Sequence, residues 1–274
     1  MKMVGVEARW NSGDSVKRAR SLVQTVKLLG SRSRPEISWV SKVTGTTVER
    51  AERAVDEITM YSESIEELSR NIESTGRSYY AQFPAPLDLF ALVRLSRPQN
   101  LVESGVASGV SSTFLLLGIK ANSAGILHSI DFPVFRKGSR GNQPWAIPQG
   151  MYSGWAVPTK LRERWDLRQG RSEDLLGPLL GEIGTLDLYC HDSPVDVKHF
   201  EFEMKSIRKY LKPGSLVVAD NTDKKVFDEA ARSVGAEAFY RRHSSLGAFR
   251  CPEGTGTERN STRAVVRHAI SKGP

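Results

Sequence analysis

Two glycines stand four residues apart in Glu103-Ser104-Gly105-Val106-Ala107-Ser108-Gly109, between the short apolar run Leu101-Val102 and a longer one, Thr113 to Ile119. A glycine-rich turn between a strand and a helix lets a ligand approach the backbone closely and presents the free amides of the helix N-terminus. The spacing is not that of a Walker phosphate loop, because no lysine follows Gly109, nor is it G-x-G-x-x-G, because Ala107 takes the middle position. Taken alone, the pattern also suits a tight strand-to-helix turn that holds no ligand. The acids around it narrow the chemistry. Glu103 stands two residues before Gly105, and Asp131 closes the next apolar run. An acid about twenty residues beyond such a loop accepts hydrogen bonds from two ribose hydroxyls, as expected for an adenosine-containing ligand without a 2′-phosphate.

These residues need a frame that brings them to one edge. From Pro84 onward, short apolar runs alternate with helical stretches. Strands are expected at Leu101-Val102, Gly125–Asp131, Trp165–Gln169, Leu186–Cys190 and Ser215–Ala219, and helices at Ser111–Lys120, Ser172–Leu180, Val197–Leu211 and Lys224–Val234. Such alternation implies a parallel sheet covered on both faces. Only Arg241 to Ser245 separate the last two runs, Ala236–Tyr240 and Leu246–Arg250, so these should form an antiparallel hairpin. Phe132 to Lys160 breaks the rhythm with Pro, Gly, Trp and Arg. Trp145, Tyr152 and Trp155 mark it as an ordered lid or substrate loop.

Residues 1–83 read as a helical extension. Val16–Leu29 has helical spacing and ends at the Gly30–Pro35 breaker cluster. Two short helices, Glu36–Val43 and Thr47–Ile58, flank Gly45, with Thr46 or Thr47 as the N-cap, and a polar helix spans Ser62–Ser74. The pair around Gly45 is either a packing unit or a helix-turn-helix. The net charge of +8 points to a polyanion, but its distribution weakens that reading. From Arg241 to Pro274 seven basic residues face two acids, so this stretch supplies 7 − 2 = +5. Residues 253–274 are expected to form a basic, flexible tail. No stretch approaches the roughly 18 to 20 apolar residues that cross a bilayer, and the N-terminus lacks an apolar signal core. Cys190 and Cys251 suggest neither a disulfide framework nor a zinc site, so a cytoplasmic setting is expected.

The residues resemble the class I S-adenosylmethionine-dependent methyltransferases. The likeness rests on Glu103-Ser104-Gly105 through Gly109, Asp131, Gly170-Arg171-Ser172-Glu173, His191-Asp192 and Leu211-Lys212-Pro213-Gly214, and it covers roughly residues 84–252. It implies an α/β, Rossmann-like fold: a seven-stranded, mostly parallel sheet with an antiparallel C-terminal hairpin. It implies S-adenosylmethionine as cofactor, held by Glu103, Gly105, Ala107, Ser108, Gly109, Ser111, Asp131, Phe132, Gly170, Ser172, Glu173 and Asp192. The glycine-loop amides would take the methionine and sugar, Asp131 the ribose, and Ser172 or Glu173 the adenine. The closer likeness is to small-molecule O-methyltransferases. Some of these bind a divalent metal, and the matching positions here are Asp192, Asp220 and Asn221, three oxygen donors that suit Mg²⁺. The loop His191-Asp192-Ser193-Pro194 departs from that subgroup's pattern.

His191 and Asp192 are the expected catalytic residues, with His191 as base because its reference pKa lies near neutrality. His191 reads equally as a packed histidine after a strand. His128 is read as core, and His199 as a surface or packing residue. The acceptor is expected to be a small molecule with a hydroxyl, over the ends of strands four and five, with no membrane partner. A homo-oligomer stays open. The alternative is a nucleic-acid methyltransferase or binder that uses the N-terminal helices and basic tail.

Overall fold

A computed structural model of the chain describes residues 35–75, 83–135, 146–193, 196–221 and 223–253. The expected helix Val16–Leu29, Trp145 and the tail from residue 254 lie outside the described residues. Among the described residues, four α-helices precede the sheet: α1 (Ile37–Thr44), α2 (Val48–Asp56), α3 (Ser62–Glu73) and α4 (Pro86–Ser96). Gly45 turns the chain out of α1 in a left-handed conformation (φ 66°). Thr47 then caps α2 by accepting from the Arg50 amide at 3.3 Å.

The alternation then runs β1 (Asn100–Ser104), α5 (Val110–Asn122), β2 (Ile126–Asp131), β3 (Trp165–Gln169), α6 (Ser172–Ile183), β4 (Leu186–His191), α7 (Val197–Ile207), β5 (Leu211–Ala219), α8 (Lys224–Ser233), β6 (Ala238–Tyr240) and β7 (Gly247–Arg250). The seven strands lie in the order β3-β2-β1-β4-β5-β7-β6. The first five are parallel, and β7 runs antiparallel to both β5 and β6. The expected fold class is therefore the observed one. One boundary is corrected. The helix expected through Leu211 stops at Ile207, and a 3-10 turn (Arg208–Tyr210) passes the chain into β5. Pro213 biases the residue before it toward extended backbone, which favours starting the strand early.

The sheet separates two cores. On one face Leu101, Leu127, Leu188, Leu216 and Val218 pack against α1, α2, α4 and α5. On the other, Val102, Ile130, Tyr189 and Val217 pack against α6, α7 and α8. α5 is buried nearly all round, between the sheet and α4. A Cβ on Gly118 would lie 2.6 Å from the Val93 side chain, so glycine there allows the two helices to cross closely. Val40, Val43, Ala51 and Ala54 share the first core with Phe90 and Phe114. The described part of the N-terminal extension is thus continuous with the sheet domain, and the helix pair around Gly45 turns its apolar faces inward as a packing unit. Among the described residues no helix is long and apolar enough to cross a membrane.

A buried ion pair locks α4 to the hairpin. Asp88 is fully buried, and Arg241 Nε donates to its Oδ2 at 2.6 Å while the Glu36 amide donates to its Oδ1 at 2.9 Å. Burial pushes the Asp88 carboxyl up to about 6, with Arg241 pulling the other way. Removing one member of such a pair strands the other's charge, which costs about 3 kcal/mol or more. Arg241→Met should therefore lower the unfolding free energy in urea by about 3 kcal/mol at pH 8. The deficit should narrow as pH falls from 8 toward 6, because without Arg241 the Asp88 carboxyl is held higher still and takes up its proton above that value.

Candidate functional site

β1 and β4 are neighbours in the sheet although β2 and β3 intervene in the chain, so successive connections leave β1 in opposite directions. Open α/β sheets bind ligands outside the carboxyl ends of their strands at such a parting. Here a cleft of about 300 Å³ opens, and Gly105, Asp131, Phe132, Gly170, Ser172 and Glu173 all line it. Three loops from three strand ends thus bring six of the expected cofactor residues into one volume.

Period-two alternation directs the side chains at the end of β1. Glu103 faces α5 and is fully buried. Its Oε1 accepts from Ser111 Oγ, and its Oε2 from Ser112 Oγ and Ser129 Oγ, each at 2.7 Å. Burial still pushes its carboxyl up to about 7, because the serine hydroxyls only partly replace lost hydration. Ser104 faces the other way and donates to Glu203 of α7. Asp131 Oδ1 accepts from the Val106 amide at 3.0 Å, and Oδ2 accepts from Ser153 Oγ. Asp131 therefore holds the glycine loop as well as lining the cleft.

The glycines have a different cause from the one their spacing suggests. A Cβ on Gly105 would lie 2.2 Å from the Asp192 carbonyl oxygen, and one on Gly109 would lie 2.4 Å from Val157 Cγ2. Both have positive φ, 89° and 92°. The bareness admits the chain's own loops. Their amides are also occupied: Gly105 N–H donates to Ile130 O at 2.9 Å and Gly109 N–H to Val106 O at 2.8 Å. Of the glycine-loop amides expected to take the methionine and sugar, these two are therefore bonded within the chain. Ala107 and Ser108 use their carbonyls to accept from Gly154 N (2.7 Å) and Ala156 N (3.1 Å), so residues 153–157 roof the loop. The Ser108 hydroxyl is buried and has no partner among the described residues. No side chain caps the first turn of α5.

The expected aromatic walls divide. Trp155 is buried and packs the lid segment onto the core. Tyr152 is exposed, with the Arg162 guanidinium 5.4 Å above its ring. At the cleft mouth Phe132 is 62% exposed and faces Arg171.

Past β4, His191 does not reach the cleft as an exposed base. It lies on the α7 face, 1% exposed, with Nδ1 2.6 Å from Glu203 Oε2 and its ring against Phe200. Its role as base is corrected: the packed reading fits. Asp192 keeps partial exposure, and its amide donates to Ser104 O at 2.8 Å. Its carboxyl is pushed well above the ordinary range, by burial first and then by the charges of Asp220 and Glu103. Asp220 is raised as well, chiefly by burial.

The arrangement at these positions lends Mg²⁺ no support. Asp220 Oδ1 accepts from Ser245 Oγ at 2.5 Å, and Oδ2 accepts from Asn221 Nδ2 at 3.0 Å. Among the described residues, no three His, Cys, Asp or Glu side chains are grouped to hold an ion. The expected metal ligands Asp192, Asp220 and Asn221 are thus corrected: two of them bond each other.

Sequence reasoning missed Ser112, Ser129, Ser153 and Glu203. Glu203 carried a signal, because an acid stands among Phe200, Met204 and Ile207 in the buried stripe of α7. His199, read as surface or packing, lines the cleft.

A family model described as a methyltransferase domain matches residues 102–222, from β1 through the loop after β5. The match takes in less than half of the chain, and over residues 102–222 the chain is similar to a methyltransferase domain. The match spans the expected loops after β1, β2, β3, β4 and β5. No curated protein matches the chain. Solved structures similar to it include an O-methyltransferase from Bacillus cereus in complex with S-adenosylhomocysteine, at 15% identity and TM-score 0.47, covering 79% of this chain and 96% of that one. TomG, an O-methyltransferase from Streptomyces achromogenes, matches at 17% identity and TM-score 0.49, covering 74% and 99%. A putative O-methyltransferase from Klebsiella pneumoniae matches at 19% identity and TM-score 0.49, covering 69% and 90%.

The junction of the loops after β1 and β4 depends on the bare position at Gly105. Gly105→Ala should lower stability by about 2 kcal/mol, from a left-handed alanine and a displaced Asp192 backbone. Thermal unfolding of the purified variant checks this, and an unchanged midpoint would contradict the packing described.

Proposed function

We propose that the chain transfers the methyl group of S-adenosylmethionine to a hydroxyl of a small-molecule acceptor. The observation that carries the reading is the cleft where the loops after β1, β2 and β3 bring Gly105, Asp131, Phe132, Gly170, Ser172 and Glu173 together. Asp131 would hold the ribose hydroxyls, since each of its oxygens keeps a second lone pair after accepting from Val106 and Ser153. Phe132 offers a face to the adenine, and Ser172 and Glu173 polar atoms to its edge. The unpartnered Ser108 hydroxyl and the uncapped first turn of α5 suit the donor's carboxylate. The raised carboxyls of Glu103 and Asp192 mark a negative pocket that gains from a cation.

Bound S-adenosylmethionine supplies a methyl group already activated by its sulfonium. What remains for the chain is to align the acceptor, exclude water and take up the proton the hydroxyl releases. Residues 153–157 already roof the glycine loop and keep water from it. Asp192 is suited to the proton. It lies at the carboxyl end of β4 beside Gly105, is partly exposed, and binds protons more tightly than an ordinary carboxylate.

Calorimetry tests the reading in two ways. S-adenosylmethionine and S-adenosylhomocysteine should both bind, and Asp131→Ala should weaken both at least about tenfold, the worth of one good hydrogen bond to a ligand. Binding at pH 7 should also release protons. Glu103 is part protonated there in the free protein, and a cation beside it lowers its pKa. The release, measured in buffers of different ionisation enthalpy, should be larger for S-adenosylmethionine than for the uncharged thioether. If neither ligand binds at millimolar concentration, the reading is wrong.

A further inference from the structure

A single buried carboxylate joins three parts of the cleft that are distant in sequence. Glu203 Oε1 accepts from Ser104 Oγ, the residue before Gly105 in the glycine loop. Its Oε2 meets His191 Nδ1 at 2.6 Å, the residue before Asp192. Oε1 also meets His199 Nε2 at 3.0 Å. His199 carries the chain of contacts out to the cleft wall. Its Nδ1 lies 3.1 Å from Glu173 Oε1, and its Nε2 lies 3.2 Å from Ser172 Oγ. Ser104, Ser172, Glu173 and His199 all line the cleft, while the Glu203 side chain is wholly buried beneath it.

A fully buried acid on a helix is costly unless its oxygens are satisfied. A merely structural α7 would carry an apolar residue at this point of its buried stripe. The acid is satisfied here by groups from β1, β4 and its own helix, and two of those three precede residues expected at the donor or acceptor. We propose that Glu203 and His199 are the positioning pair of the donor site. Glu203 fixes the ends of β1 and β4 from beneath, and His199, as its cation, holds Ser172 and Glu173 against the cleft. The proposal rests on the reading of the cleft as the donor site.

The charges around the pair support it. Glu203 lies on the imidazole from its own helix, Glu173 from the start of α6, and Asp196 lines the same wall, with Arg171 3.9 Å from Glu173. His191 and Tyr189 face Glu203 from β4. The hydrogen bond to Glu203, above all, raises the His199 pKa to about 9, so the ring is charged at neutral pH. Its folded pKa lies above the reference value of about 6.5. The contribution is therefore complete below pH 6.5 and is lost as pH rises through about 9.

The test is the affinity of the full chain for S-adenosylhomocysteine between pH 6 and 10, by calorimetry. The wild type should bind most tightly near neutrality and weaken through about pH 9 as His199 loses its proton. His199→Gln keeps hydrogen-bonding atoms but not the charge. It should bind about tenfold more weakly at pH 7.5, the loss expected for one charge-assisted bond behind a ligand-holding group, and its alkaline limb should be absent. Glu203→Gln should move that limb toward neutral pH, because the imidazolium loses its anion. Should Glu203→Gln fail to fold, His199→Gln alone decides. Its ring is at the cleft wall, 20% exposed, and a purely structural role would leave the pH profile unmoved. A wild type that binds, with His199→Gln matching its affinity and its alkaline limb, overturns the positioning role and leaves the donor site standing. A wild type that binds nothing overturns the donor reading and this proposal together.

Discussion

The contact between Gly105 and the Asp192 carbonyl is the constraint on which the rest of the site depends. β1 and β4 pair in register up to Ser104 and His191, and the Asp192 amide closes onto Ser104 O at 2.8 Å. The next residue of each chain must then diverge around the other. A side chain at Gly105 would occupy the space of the Asp192 backbone, so the β1 loop turns with φ 89° and the β4 loop passes over it. With the two loops locked, the acids at their bases lie near one another, and burial can raise Glu103 and Asp192 together. A looser junction would let water between them and return both to ordinary carboxylates.

That closeness gives the site its electrostatic character. Glu103, Asp131, Asp192 and Asp220 all approach the same edge of the sheet. Three serines hold Glu103, a backbone amide and a serine hold Asp131, and a serine and an asparagine amide hold Asp220. Neutral donors stabilise a buried carboxylate less than a cation does. The arrangement is thus incomplete without positive charge, and an arginine or lysine in place of the serines would have filled the need permanently. On the opposite face, against the cost of burial, hydrogen bonds first to His191 and then to His199 hold Glu203 well below its ordinary value. The contrast between the two acids, one beneath each layer of helices, separates a carboxylate completed by the fold from one left for a ligand.

Much of this was legible in the sequence, and the limits have physical reasons. Alternating short runs placed the strands well, with even the half-buried edge strand β3 matching Trp165–Gln169 residue for residue. Asp131, Gly170, Ser172 and Glu173 were readable because their spacing from strand ends fixes where they emerge. The cause of the glycines was not readable. A bare position looks the same whether a ligand or a distant loop fills the space, and only the fold brings Asp192 and Val157 there. His191 was misread because residue type suggests chemistry while strand parity decides the face. Counting by twos from Tyr189, already a core residue, sends His191 to the α7 side. Asp192 was separable from it only by the end of the strand.

Strand parity also explains why the glycine loop should be rigid. The last two residues of β1 point to opposite faces, so Glu103 is bonded into α5 and Ser104 into α7. The loop that follows is therefore anchored in both helical layers before it begins, and Asp131 and residues 153–157 hold it from outside. A loop tied from four directions cannot pay out slack to fit different ligands, and its binding geometry is set before any ligand arrives. The opposite side of the cleft is less constrained. Phe132 and Val134 are exposed there. On the proposed reading, variation in the acceptor can be carried by that side, while the glycine loop, fixed through the sheet, stays with a single donor.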